Sequence, residues 1–320
     1  MRKIGILTSG GDAPGMNAAI RAVVRSGLAM GMDVMGIERG YEGLLDDEMK
    51  LLDRSSVGDI MQRGGTVLKT ARSHRFMTEE GQKEAFRILR LHGIEALIVC
   101  GGDGSFRGAA DLVKLGMPVF GIPCTIDNDM GYTDYTIGFD TAVNTVLDAV
   151  SNIRDTGSSH DRTTIIEVMG RDCGDIAAFA GVTGGAESVL VPEVKSDVDA
   201  VCRKIVAAKD KGKRHSIIIR AEGADVTTDE LVNTIYEETG SEARKVVLAY
   251  VQRGGSPTMM DRLRAAMMGY EAVKLINEDA ESMAIGVKDD KIFTMDFIKA
   301  IKVKRKPNLE LIQLADLLSN

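Results

Sequence analysis

The 320-residue chain has no tryptophan, few aromatic residues and only four cysteines. Those cysteines, Cys100, Cys124, Cys173 and Cys202, lie far apart, without the paired spacing of a zinc site or a disulfide framework, so reduced thiols are expected. No apolar run exceeds the length of a strand, which excludes a membrane-spanning helix. Met1-Arg2-Lys3 leads directly into a short strand and a glycine-rich turn, unlike a signal peptide, and a cytoplasmic protein is expected. There is no basic excess either. A formal charge of -7 argues against nucleic acid as the main partner, although a phosphate-bearing ligand needs only a local cluster of arginines. The 35 glycines are spread along the chain, so no low-complexity linker marks a boundary.

A content of 44% hydrophobic and 27% charged residues is that of a globular protein, and the length allows two lobes with separate cores. Lys3 to Thr8 reads as a first strand. Ser9-Gly10-Gly11-Asp12-Ala13-Pro14-Gly15 then reads as a turn into a helix with Pro14 in its first turn. That helix carries Ile20, Val23, Val24 and Leu28 on one face, with Arg21 and Arg25 adjacent on another. Further strands are predicted over 33–37, 118–122, 163–169, 188–191, 216–220, 246–251 and 282–287. Between them lie helical apolar stripes: Val143/Val146/Leu147/Val150, Val198/Val201/Ile205 and Leu263/Ala266/Met267/Tyr270. The alternation predicts an α/β fold of two doubly wound, three-layer domains with mostly parallel sheets. The expected larger domain is 1–138 with about 251–301, and the smaller 139–250 with about 302–320. Gln62-Arg63-Gly64-Gly65-Thr66 and Gln252-Arg253-Gly254-Gly255-Ser256 echo each other but are too short to establish a repeat.

The chemistry concentrates between Cys100 and Asp129. The continuous apolar run Ala96-Leu97-Ile98-Val99 suits a strand buried on both faces, and it ends in Gly101-Gly102-Asp103-Gly104-Ser105. Ligands of open α/β sheets sit at the carboxyl ends of strands, so these backbone N–H groups are expected to face an anion; a tight βα turn is the other reading. A second strand ends in Thr125-Ile126-Asp127-Asn128-Asp129, a polar turn or a catalytic loop. Asp103, Asp127 and Asp129 are expected to converge where a divalent cation could bridge protein and phosphate.

With these motifs in place, the chain resembles the bacterial ATP-dependent 6-phosphofructokinases from end to end. The likeness rests on Leu7-Thr8-Ser9-Gly10-Gly11-Asp12-Ala13-Pro14-Gly15-Met16-Asn17, Gly101 to Ser105, Thr125 to Asp129, Met169-Gly170-Arg171 and Gln252-Arg253-Gly254-Gly255-Ser256-Pro257. It implies transfer of the γ-phosphoryl group of ATP, with Mg2+, to the 1-hydroxyl of fructose 6-phosphate. It implies that Gly11, Tyr41, Arg72, Ser73, Gly102, Asp103, Gly104, Ser105 and Gly108 contact the nucleotide, Asp103 also the metal. Asp127 is the implied base, with Thr125 and Asp129 in support and Gly11, Arg72 and Arg171 assisting the transfer. For the sugar phosphate the likeness implies Thr125, Ile126, Asp127, Met169, Gly170, Arg171, Glu222, Tyr250, Val251, Gln252 and Arg253, with Arg162 and Arg244 from a neighbouring subunit of a homotetramer. It further implies an effector site for ADP as activator and phosphoenolpyruvate as inhibitor. That site comprises Arg21, Arg25, Arg54, Asp59, Arg154, Gly185, Glu187, Lys211, Lys213, Arg214 and His215; taken alone, the run from Lys209 to His215 reads as a solvated basic turn.

Four places depart from the family pattern. Tyr250 stands where histidine is usual, Cys124 where glycine is, and Gly58 where serine is; Ser73-His74-Arg75 also differs. Pyrophosphate-dependent relatives, the alternative reading, carry Asp at the position of Gly104 and Lys at that of Cys124, so Gly104 favours ATP.

Overall fold

The computed structural model describes residues 2–160, 162–213 and 215–318. Its first leg runs β1 (Lys3–Thr8), α1 (Met16–Ala29), β2 (Asp33–Ile37), α2 (Gly40–Leu45), β3 (Met49–Leu52), α3 (Glu79–Leu91), β4 (Ala96–Gly101), α4 (Asp103–Lys114) and β5 (Val119–Pro123). The middle leg is α5 (Phe139–His160), β6 (Thr163–Val168), α6 (Asp175–Gly184), β7 (Ser188–Leu190), α7 (Val198–Asp210), β8 (Ser216–Ala221), α8 (Thr228–Thr239) and β9 (Ala243–Val247). The last leg is α9 (Met259–Asn277), β10 (Met283–Lys288), β11 (Lys291–Asp296), α10 (Phe297–Ala300) and α11 (Leu309–Leu318). Two compact units result, Met1–Thr141 with Arg253–Arg305 and Ala142–Gln252 with Lys306–Asn320. Both carry the expected α/β architecture.

The first unit holds a seven-stranded sheet in the order β11-β10-β5-β4-β1-β2-β3. Its five inner strands are parallel, and β3 and β11 pair antiparallel at the two edges. These edge strands escape a reading based on long apolar runs. β3 is four residues long, and β11 is tied to β10 through Asp289 and Asp290, both left-handed (φ 50° and 57°), as a two-residue hairpin demands. Phe106, Phe297, Leu97 and Val99 lie in the buried core on one side of this sheet. On α9, the buried side is Arg264, Ala265, Met268, Ala272 and Val273, whereas Leu263, Met267 and Tyr270 of the predicted stripe are exposed, a reversal of the expected face. Small residues explain it: Gly269 lies so close to α1 that an added Cβ would be 2.8 Å from Ala22 Cβ.

The second unit holds a wholly parallel sheet in the order β7-β8-β6-β9, with Ile165, Ile218, Val201, Leu231 and Ile235 in its core. The predicted strand over 246–251 is displaced. Ala243–Val247 pairs with β6, and the chain then turns through Ala249 (φ 45°) into a short 3-10 segment, Ala249–Arg253, because a left-handed residue ends the extended path. Pro14 likewise lies before α1 and not in its first turn; Gly15, at φ 108°, makes the entry. Where the chain leaves the first unit, the buried carboxylate of Asp261 accepts hydrogen bonds from Gly138 N (2.9 Å), Thr141 N (2.8 Å) and Thr141 Oγ1 (2.5 Å).

Candidate active site

In the first sheet the chain winds outward from β1 to β2 and β3, then returns to place β4 and β5 on the other side of β1. The loops leaving β1 and β4 therefore diverge at a topological switch point, which is where open α/β sheets offer a crevice. Both loops are the glycine-rich ones. They are stitched together, Ser9 N donating to Cys100 O at 3.0 Å. A side chain on Gly101 would come within 2.6 Å of Ser105 and 2.7 Å of Ser9 O, so the two backbones approach as closely as only glycine allows. Gly10 takes φ 88°. At Gly11 an added Cβ would lie 2.3 Å from Arg253 Nη1, and that guanidinium also donates to Asp12 O at 3.3 Å. Nothing lies within 4 Å of the corresponding point at Gly104.

Gly102 caps α4 and Asp103 is its first residue, so its carboxylate stands at the positive end of the helix dipole, paired with Arg107 at 2.9 Å. The expected convergence of three carboxylates is not found: among the described residues no three acidic, cysteine or histidine side chains are gathered to hold a metal ion. Beneath the loop, the buried Tyr41 donates to Ser105 O at 2.6 Å and stacks on Phe76 with ring centroids 4.0 Å apart; burial pushes its phenol pKa up. Gly108 is needed there, since a Cβ would be 2.9 Å from Phe76. Ser73 Oγ accepts from Phe76 N at 3.1 Å, and Arg75 is held by Glu42 and Asp46, so the departing Ser73-His74-Arg75 stretch is tied down beside the exposed Arg72.

At the end of β5, Thr125 N donates to Ile137 O (3.1 Å) and Thr125 Oγ1 accepts from Asp127 N (3.2 Å). Asn128 is left-handed (φ 52°), and its amide locks that conformation: Oδ1 accepts from Thr136 N at 2.9 Å while Nδ2 donates to Asp134 O at 3.2 Å. The strained central residue of Asp127-Asn128-Asp129 thus fixes the two carboxylates on either side, with Asp127 only 1% exposed. Cys124 is a buried, packed thiol, and desolvation with the neighbouring Cys100 thiol raises its pKa well above the ordinary range.

The second sheet has its own switch point between β6 and β8, and of the predicted sugar-phosphate residues Met169, Gly170, Arg171, Glu222 and Gln252 are linked by hydrogen bonds at that end of the sheet. Gly170 (φ 143°) and Arg171 (φ 53°) form a tight turn whose N–H groups both donate to Glu222 Oε1, at 3.1 and 2.8 Å. Gln252, fully buried, accepts from Met169 N at 2.9 Å. Tyr250 and Val251 are exposed. Arg162 and Arg244 are at the opposite end of the sheet: Arg162 precedes β6 and Met169 follows it, about 20 Å apart for six extended residues. Both arginines pair with Glu242, Arg162 Nε at 3.4 Å. They cannot join the Met169–Arg171 turn of the same chain. Glu193, whose Oε1 accepts from Gly174 N at 2.8 Å below that turn, carries no motif and escaped sequence reasoning, as did Asp261.

The predicted effector residues divide between the units. In the first, Arg21 and Arg25 lie on α1, and Asp53 (pKa lowered to about 2 by the Ser55 and Ser56 hydroxyls) shapes the turn bearing Arg54. Asp59 follows in a left-handed conformation. In the second, Arg154 donates to Gly184 O and Gly185 O at 2.6 and 2.8 Å, and the buried Glu187 receives Lys213 Nζ and Ile217 N. Lys211 and His215 flank that lysine; Arg214 lies outside the described residues.

The model of the family described as Phosphofructokinase matches residues 3–276. An ATP-dependent 6-phosphofructokinase of Clostridium tetani is 56% identical over 319 residues, covering 100% of both chains. One from Alkaliphilus metalliredigens is 54% identical over the same length and coverage. The phosphofructokinase structure from Saccharomyces cerevisiae superposes with a TM-score of 0.89 at 36% identity, over 100% of this chain and 48% of that one, so the chain spans about half the length of the yeast polypeptide.

Proposed function

This chain belongs to the phosphofructokinase family, and from that premise we propose how its residues carry the γ-phosphoryl group of ATP to the 1-hydroxyl of fructose 6-phosphate, giving fructose 1,6-bisphosphate and ADP. The carrying observation is the β1/β4 switch point, where the two glycine loops meet and Thr125, two residues before the buried Asp127, lies 3.4 Å from the point a Cβ would take on Gly102. Phosphoryl transfer asks for positioning and charge stabilisation more than covalent chemistry. Gly11 and Gly102 to Ser105 present backbone N–H groups to the phosphates, and the open space at Gly104 admits the α-phosphate of ATP. Tyr41, Ser73 and Gly108 shape the floor and flank of the nucleotide site.

Mg2+ fits this donor set. Such an ion needs only one or two protein carboxylates, and Asp103, now paired with Arg107, would offer one at the mouth of the loop. Held there, the ion would supply positive charge against the transferring phosphates. Asp127 removes the proton of the 1-hydroxyl; Thr125 Oγ1, accepting from Asp127 N, holds the base in register, and Asp129 supports it. Arg72 and Arg171 stabilise charge on the transferring group, and Arg253 joins them from beside Gly11. Ile126, Met169, Gly170, Glu222, Tyr250, Val251 and Gln252 hold the sugar.

Arg162 and Arg244, removed from the Met169 turn by the length of β6, serve the 6-phosphate in a neighbouring copy, and the exposed apolar stripe of α9 supports a homo-oligomer, here a homotetramer. The arginine and lysine clusters around Arg21, Arg54, Arg154 and Lys213 suit ADP and phosphoenolpyruvate as effectors. A cytoplasmic location accords with the reaction, and among the described residues no helix is long and apolar enough to cross a membrane. The test is steady-state kinetics with fructose 6-phosphate and either ATP or pyrophosphate, with and without the two effectors. Asp127→Ser is expected to lower kcat by at least about 100-fold with substrate binding retained; a variant with wild-type kcat removes Asp127 from the mechanism.

A further inference from the structure

The segment from Thr66 to Arg72 has no helix or strand to hold it, yet its path is pinned to the end of β1 at three points. Thr8, completely buried as the last residue of β1, donates its hydroxyl to Lys69 O at 2.8 Å. That bond uses its only proton, so the 2.9 Å contact between Thr8 Oγ1 and Thr66 Oγ1 is donated by Thr66. Thr70 Oγ1 then donates to Gly10 O at 2.6 Å. Between these bonds Lys69 sits at φ 58°, a left-handed conformation that a lysine does not choose and that Lys69 N, donating to Thr66 O at 3.1 Å, helps to enforce. The strain is placed three residues before Arg72, and the anchor between them, on Thr70, is the carbonyl of the glycine that precedes Gly11.

We propose that Thr70, backed by Thr8, is a positioning residue for the transfer: its hydroxyl fastens the chain bearing Arg72 to the Gly10-Gly11 turn, so that arginine and phosphate loop move as one piece. The proposal rests on the role assigned to Arg72 above. Thr70 is partly exposed, so replacing its hydroxyl leaves Gly10 O open to water and the fold intact.

The test compares kcat at saturating ATP and fructose 6-phosphate for Thr70→Val, Thr70→Ser, Arg72→Ala and the double variant Thr70→Val/Arg72→Ala, each checked by melting temperature. Loss of one hydrogen bond is expected to lower kcat about two- to ten-fold in Thr70→Val, while Thr70→Ser stays within about two-fold of wild type. In the Arg72→Ala background, Thr70→Val should change kcat by less than about two-fold, because the residue it positions is gone. An unaltered kcat in Thr70→Val beside an impaired Arg72→Ala overturns the Thr70 proposal alone. So does a full Thr70→Val effect without Arg72, or a Thr70→Ser variant as slow as Thr70→Val. A wild-type kcat in Arg72→Ala overturns the reading of Arg72 itself and the proposal with it.

Discussion

Asp261 makes stability depend on pH in a direction opposite to that of most carboxylates. Burial raises its pKa from the ordinary 3.8 to about 6, against the hydrogen bonds from Thr141 and Gly138, which favour the ionised form; the nearby Asp140 pushes it up further. A carboxyl whose folded pKa is raised contributes stability that is fully present below pH 3.8 and is lost as pH climbs through about 6. The full span corresponds to about 3 kcal/mol, and the part gained between pH 8 and pH 5 to about 1.4 kcal/mol. Asp261→Asn keeps the size of the side chain but does not titrate. Urea denaturation of both proteins at pH 8 and pH 5, at one protein concentration, isolates this group, because every other titration is common to the two. The stability of the wild type relative to the variant should therefore grow by about 1.4 kcal/mol on acidification. A difference that stays flat, or that shrinks toward pH 5, would show that the three hydrogen bonds outweigh burial and would refute the reasoning.

Gly104→Asp, placed where space is open, should fold normally and raise KM for ATP by an order of magnitude or more, with KM for fructose 6-phosphate little changed; kinetics against both substrates decide it. Tyr250→His, at a side chain 79% exposed, should lower KM for fructose 6-phosphate through a partly protonated ring; an unchanged or higher KM refutes the idea. Iodoacetamide should leave Cys124 unlabelled in the native protein and label it in urea, as read by peptide mass, because the thiol is buried and protonated.

The glycine loops, the Thr125–Asp129 stretch and the Met169–Arg171 turn could be placed at strand ends from residue order alone, because a buried parallel strand announces itself by a continuous apolar run and ends where glycine or charge begins. What that order could not disclose is direction and company. The apolar stripe of α9 faces outward because Gly269 and its small neighbours are what fits against α1, and β9 stops at Val247 because Ala249 turns left-handed. Asp103 meets Arg107, Asp261 closes on Gly138 and Thr141, and Thr70 finds Gly10, sixty residues away. By itself the sequence determined the α/β class and the loops at the strand ends, since these follow from periodicity and residue type, while the expected chemistry is what the family resemblance implies. Only the tertiary structure decided which groups share a hydrogen bond, a strained turn or a buried charge, since such contacts depend on the register of elements distant in the chain.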